Sequence, residues 1–220
     1  VFIGVNAGNG ATNADNSNMI GQNAGQNATN AYNSNMFGQD AGCNATDANN
    51  SNFFGKEAGC YAYRANNSNF FGNRAGYHGE DAAYSTFMGD LAGYYALNAD
   101  HSAFLGASAG YQATNANRSN FLGYQTGYGA DGAENSNFMG YQAGYNDSGT
   151  PDFLGASSNM LGIAGGSNFL GYQAGFDASG AVQSNFVGNQ AGYKATNALA
   201  SNFFGFWSGY EATDATGSNF

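Results

Sequence analysis

The chain repeats itself every seventeen residues, and that period constrains the fold more than any other feature. Aligned on S-N-F-φ-G-x-x-A-G-Y-x-A-T-N-A-x-N, with φ apolar, its first aromatic position falls at Phe2, Met19, Met36, Phe53, Phe70, Phe87, Phe104, Phe121, Phe138, Phe153, Phe169, Phe186, Phe203 and Phe220. The spacing is 17 throughout, except for intervals of 15 and 16 on either side of Phe153. The Gly two places on is present in all thirteen complete repeats, from Gly4 to Gly205, and the second Gly fails once, at Asn159. Such a period marks a stacked repeat architecture.

Two Gly per repeat, with Asn-rich segments between them, would cost a helix several kcal/mol per repeat. Short extended segments separated by Gly and Asn turns fit instead. The expectation is an all-β protein: a parallel β-solenoid of about thirteen 17-residue coils. One strand lies near S-N-F-φ, a second near A-G-Y-x-A, and N-A-x-N turns to the next coil. With one strand spacing of about 4.8 Å per coil, the rod would be roughly 60 Å long. A single array spans 1–220, with irregular coils at 136–166 around Pro151 to Gly166, read as tolerated insertion and deletion. The chain starts and stops inside a motif, at VFIG and SNF, as expected of a window from a longer repetitive protein or of a subunit whose ends meet its neighbours'.

Stacking turns repeat positions into columns. The Asn before the aromatic residue recurs at Asn18, Asn35, Asn52, Asn69, Asn120, Asn137, Asn168, Asn185, Asn202 and Asn219. At strand spacing these amides can hydrogen-bond along the axis, as in cross-β ladders. A Tyr column runs through Tyr77, Tyr94, Tyr111, Tyr128, Tyr145, Tyr193 and Tyr210, where rings can stack. Both columns are read as scaffold.

The doublet Phe53-Phe54 is informative because successive strand side chains point to opposite faces. One ring fills the coil and the other faces out. The outward column comprises Phe37, Phe54, Phe71, Leu105, Leu122, Met139, Leu170, Val187 and Phe204. An apolar stripe of that length calls for a covering surface. The expected partner is the chain itself, as a trimer or a filament; a corner at the Gly that turns both rings inward is the competing arrangement.

Charge narrows the function. Only 9% of residues are charged, against about 25% in a typical globular protein, and the net charge is −10 with five Lys plus Arg. Nucleic acid needs basic patches, so it is excluded as a partner, as are anionic membrane surfaces. No apolar run approaches a membrane span of about 18 residues, so membrane insertion is not expected.

The Gly-x-x-Ala that follows most of the short apolar strands, themselves preceded by Ser or Asn, resembles the head repeats of trimeric autotransporter adhesins. The run NSNFMGYQAGY at 135–145 is similar to NSNFLGYQAGY arrays of bacterial surface and phage tail-fibre-like proteins. The resemblance covers essentially the whole chain. It implies a left-handed parallel β-roll, a trimer and a place outside the cell or on its surface. The period of 17 is longer than the adhesin head repeat, and the strand carries Phe where that repeat has smaller aliphatics.

Candidate chemistry is sparse. Cys43 and Cys60 lie 17 apart in one column, so their Cα atoms should be about 4.8 Å apart, within disulfide range. Such a staple agrees with an oxidising compartment, with a stacked pair of free thiols as the alternative. His78 and His101 are 23 apart and share no column, so no zinc spacing or nucleophile triad is expected, no enzyme activity and no cofactor. Six N-x-S/T sequons stand at Asn27, Asn44, Asn49, Asn66, Asn117 and Asn146, all at two turn-like positions. Thr12, Thr29, Thr46, Thr114, Thr196 and Thr213 share a column broken by Tyr63, Leu97 and Asp131, a weak match to ice-binding solenoids. The expectation is a structural protein, a self-associating extracellular fibre or adhesin-type rod. Adhesion to glycans or a host surface through outward Tyr or Trp207 is the alternative, and ice binding a second one.

Overall fold

The computed structural model describes residues 1–145, 166–178 and 180–220. It is an all-β solenoid without a helix among those residues. Twelve short strands form one parallel sheet in chain order: β1 (Phe2–Ile3), β2 (Asn18–Ile20), β3 (Asn35–Phe37), β4 (Asn52–Phe54), β5 (Asn69–Phe71), β6 (Thr86–Met88), β7 (Ala103–Leu105), β8 (Asn120–Leu122), β9 (Asn137–Met139), β10 (Asn168–Leu170), β11 (Asn185–Val187) and β12 (Asn202–Phe204). Register is held throughout: Asn52 pairs with Asn69, Phe53 with Phe70, Phe54 with Phe71.

β9 pairs directly with β10, Phe138 opposite Phe169, although the two are 31 positions apart. Among the described residues the twelve strands mark eleven strand-to-strand steps and the Asn202–Asn219 bridge a twelfth, where about thirteen coils were expected of the whole chain. Phe153, the residue that suggested laps of 15 and 16, lies outside the described residues. The segment expected as a second strand, A-G-Y-x-A, is not one. It runs as turns, and the next backbone pairing comes at isolated bridges in the Thr column, such as Thr12 to Thr29 and Thr29 to Thr46.

The turns explain the composition. In the coil from Ser51 to Asn67, six residues take positive φ: Gly55, Glu57, Gly59, Tyr61, Arg64 and Asn67. In the preceding coil the same places hold Gly38, Asp40, Gly42, Asn44, Asp47 and Asn50. Apart from Gly, Asn and Asp are the side chains that enter this left-handed region most readily, so an Asn-rich sequence is what a lap this tight demands. Gly55, at φ +137, has no alternative, because a Cβ there would overlap the carbonyl of Gly72 in the next coil. Gly59, at φ +62, lies so close to the Phe53 ring that a Cβ would collide with it.

The core is a set of columns and has no centre. Phe53, Phe70, Phe87, Phe104, Phe121 and Phe138 are fully buried and stack face to face, continuing Met19 and Met36. In most coils three Ala, such as Ala58, Ala62 and Ala65, line the rest of the interior with at most 1% exposure, while Gly79 and Thr126 take an Ala place in two others. Only small side chains fit beside a Phe ring in so narrow a lap. A buried Ser closes each coil. Ser68 Oγ donates to Ala82 O of its own coil at 2.6 Å and accepts the N–H of Ser85 in the next at 3.2 Å. A buried hydroxyl thus meets its hydrogen-bonding requirement entirely within the scaffold.

Candidate functional site

Each strand divides its three residues between two faces. The middle one is buried, and its neighbours, the Asn column and the φ column, point outward. In the single chain Phe37, Phe54, Phe71, Leu105, Leu122, Leu170 and Val187 are half-buried, while Met139 and Phe204 are exposed, Phe204 at 59%. The expected stripe therefore lies on one outer face. Ile20 and Met88, 38% and 48% exposed, extend it. The Gly corner does not turn both rings of the doublet inward. Phe53 is buried, and Phe54 stacks outside on Phe71 with ring centroids 5.1 Å apart.

Beside this column the amides form ladders. Asn18 Nδ2 donates to Asn35 Oδ1, Asn35 to Asn52 and Asn52 to Asn69, each at 2.8 Å. A second run goes from Asn120 through Asn137, Asn168, Asn185 and Asn202 to Asn219. Thr86 and Ala103 separate the two runs. Sequence reasoning did not single out a further ladder, in which Gln142 donates to Gln125, Gln173 to Gln142 and Gln190 to Gln173. Its signal was present in the repeated Y-Q pair of the later coils.

The Tyr column stacks as its spacing implied. Tyr77, Tyr94 and Tyr111 are 5.2 and 5.0 Å apart, and Phe176 bridges Tyr145 to Tyr193. The rings cover one another's faces and turn their edges to solvent. Burial raises the phenol pKa of Tyr77, Tyr94 and Tyr111, and neighbouring Tyr hydroxyls add to the shift. His78 stacks between Tyr61 and Tyr95, and burial lowers its pKa. His101 stacks on Tyr84 in a different column, so the two histidines are not brought together.

Cys43 and Cys60 occupy the two places of the Tyr column immediately before Tyr77, joined as a disulfide with Cα atoms 4.6 Å apart. Among the sequons, Asn27 Nδ2 donates to Asn44 Oδ1 at 3.2 Å, so the amide nitrogen of Asn27 is engaged in a ladder. Asn49, Asn66 and Asn117 instead accept backbone N–H groups from Tyr32, Asn49 and Asp100. Asn146 lies outside the described residues. The Thr column holds Thr12, Thr29 and Thr46 in succession before Tyr63, Glu80 and Leu97 interrupt it. Trp207 is 55% exposed and stacks on Phe206.

Among the described residues no group of three or more His, Cys, Asp or Glu is placed to hold a metal ion, and no helix is long and apolar enough to cross a membrane. The chain matches no protein-family model and no curated protein.

Proposed function

We propose that the chain is a structural rod that works outside the cell or on its surface by associating with copies of itself, and that it has no enzymatic activity. The observation that carries this reading is the division of labour within each strand. The inner ring is fully committed to the next coil, while the outer apolar residue beside it is left half-covered along the whole described sheet. Columns of Phe, Leu and Met at that exposure gain about 25 cal/mol for each Å² of apolar surface removed from water. The Cys43–Cys60 pairing fits an oxidising surrounding.

Negative-stain images of the purified protein, with sedimentation over a concentration series, test this reading. Rods that pair or bundle, with a mass that rises with concentration, are expected. A strictly monomeric particle at every concentration overturns it.

A second reading, adhesion to glycans or another cell's surface, is favoured by the Phe206–Trp207–Tyr210 cluster, where large rings are exposed together. Trp207→Ala should abolish binding to a glycan array on that reading and leave self-association unchanged.

A further inference from the structure

We propose that the outer face of the sheet forms a two-fold antiparallel dimer with a second copy of the chain, its symmetry axis running along the strands between β6 and β7. The proposal rests on the self-association reading and specifies its geometry.

Charge placement identifies the face. From β2 to β12 no side chain in either outward column is charged. The other outward columns, the single Tyr column apart, carry Lys56, Glu57, Arg64, Glu80, Asp81 and Asp90, among others. A chain of net charge −10 repels its own copies, so a contact between copies belongs on this face. Its size is sufficient. Ten strand spacings of about 4.8 Å and a width of three residues give about 500 Å² per copy, or about 1,000 Å² for the pair before side-chain relief is counted. That reaches the threshold of about 1,000 Å² for a specific interface.

Symmetry follows from having one such face. A cyclic trimer needs two different complementary patches on each copy, whereas a two-fold contact uses one patch twice. Two in-plane axes are then available. An axis along the rod midway between the columns sets the Asn column of one copy against the apolar column of the other and buries amides against hydrocarbon, which is unfavourable, and one over the apolar column leaves the Asn columns outside the contact. An axis along the strands sets apolar against apolar and amide against amide. The amides already bond to one another along each ladder, so facing them costs little.

The position of the axis comes from the break in the amide column. At β6 and β7 the Asn is replaced by Thr86 and Ala103, beside Met88 and Leu105, which makes this the least polar stretch of the face. An interface places its apolar core at the centre and its polar groups at the rim. With the axis there, Met88 faces Leu105 of the second copy. Phe71 then faces Leu122, Phe54 faces Met139 and Phe37 faces Leu170. Each Phe meets an aliphatic side chain, the large-against-small pairing that fills a contact layer.

The test is sedimentation of the intact chain with two matched variants. The parent should run at about twice 22.7 kDa. Leu105→Arg should weaken the dimer by at least ~100-fold, because it buries an unpaired charge. Leu97→Arg, the same change at an exposed leucine in the Thr column, should leave the dimer intact. Mixing F54C with M139C should give a disulfide between the two variants under oxidation, while F54C alone should give none between its own copies. A trimer, or efficient F54C–F54C linkage, overturns the two-fold geometry but leaves self-association standing. A parent that stays monomeric overturns both. Circular dichroism of each variant separates loss of contact from loss of fold: a Leu105→Arg chain that keeps its fold and still dimerises also overturns the proposal.

Discussion

Two ring stacks run along the molecule, one inside from Phe53 and one outside from Tyr77, and they behave differently at the same place. The inner Phe rings lie within 9° of parallel from Phe53 to Phe138. Across the 31-residue interval and beyond they tilt by 59°, 63° and 57°. The outer stack crosses the same coils at 9°, 6° and 5°, from Tyr145 through Phe176 and Tyr193 to Tyr210. Centroid spacing stays near that of the strands in both, 4.6–4.9 Å inside and 5.0–5.2 Å outside. The rise is therefore set by the backbone ladder, which stays in register through the interval. Ring angle is a separate matter, adjusted by the inner wall and left alone outside.

If the backbone ladder sets the rise of both stacks, breaking the ladder should cost more than removing any ring. Gly55→Ala, which drives a methyl group into the Gly72 carbonyl, should destabilise by roughly 4 kcal/mol or more, read as a shift in the denaturant midpoint. A midpoint within error of the parent would remove the ladder from the account.

Next comes the inner ring itself. Phe104→Ala should cost about 3–5 kcal/mol, because the narrow lap cannot collapse around the gap. Replacing Cys43 and Cys60 together by Ser should cost about 3 kcal/mol, from the loop of 17 residues that the bond closes. Reduced and oxidised parent should differ by the same amount in denaturation, and equality of the two would contradict it.

Tyr111→Ala in the outer stack should cost only about 1 kcal/mol, since its ring is half-exposed and its contacts are stacking alone. The smallest effect is that of pH. The phenols of Tyr77, Tyr94 and Tyr111 titrate above their unfolded value. Their contribution is therefore complete below pH about 10 and falls away as pH rises through the folded pKa values. Denaturation followed from neutral to alkaline pH should show this loss, and Tyr94→Phe should reduce it. An identical alkaline loss in Tyr94→Phe would separate the effect from the outer stack.

Much of this was legible in the sequence because a repeat reports its own register. The Gly after each doublet, the Asn and Tyr columns, and the opposite faces of Phe53 and Phe54 all follow from a period of 17 and strand alternation. The pairing of Phe138 with Phe169, 31 positions on, did not follow, because the motif also occurs at Phe153 between them. The second strand was misread because A-G-Y-x-A has strand-like composition while its places take left-handed φ, as at Gly59 and Tyr61. The buried Ser and Ala columns attracted no notice, since small residues look permissive until the width of the lap is known. For the outer face, the residues could be named but not the break at Thr86 and Ala103 that gives it a centre.

The pairing of each coil only with the coils before and after it has a mechanical consequence. Pulled from its two ends, such a rod should yield one lap at a time. Each lap frees 17 residues, which extend by about 55 Å once the strand spacing they spanned is subtracted. The force record should be a regular sawtooth, with one longer step where Phe138 and Phe169 are joined through 31 residues and a delayed step where the disulfide locks two laps together.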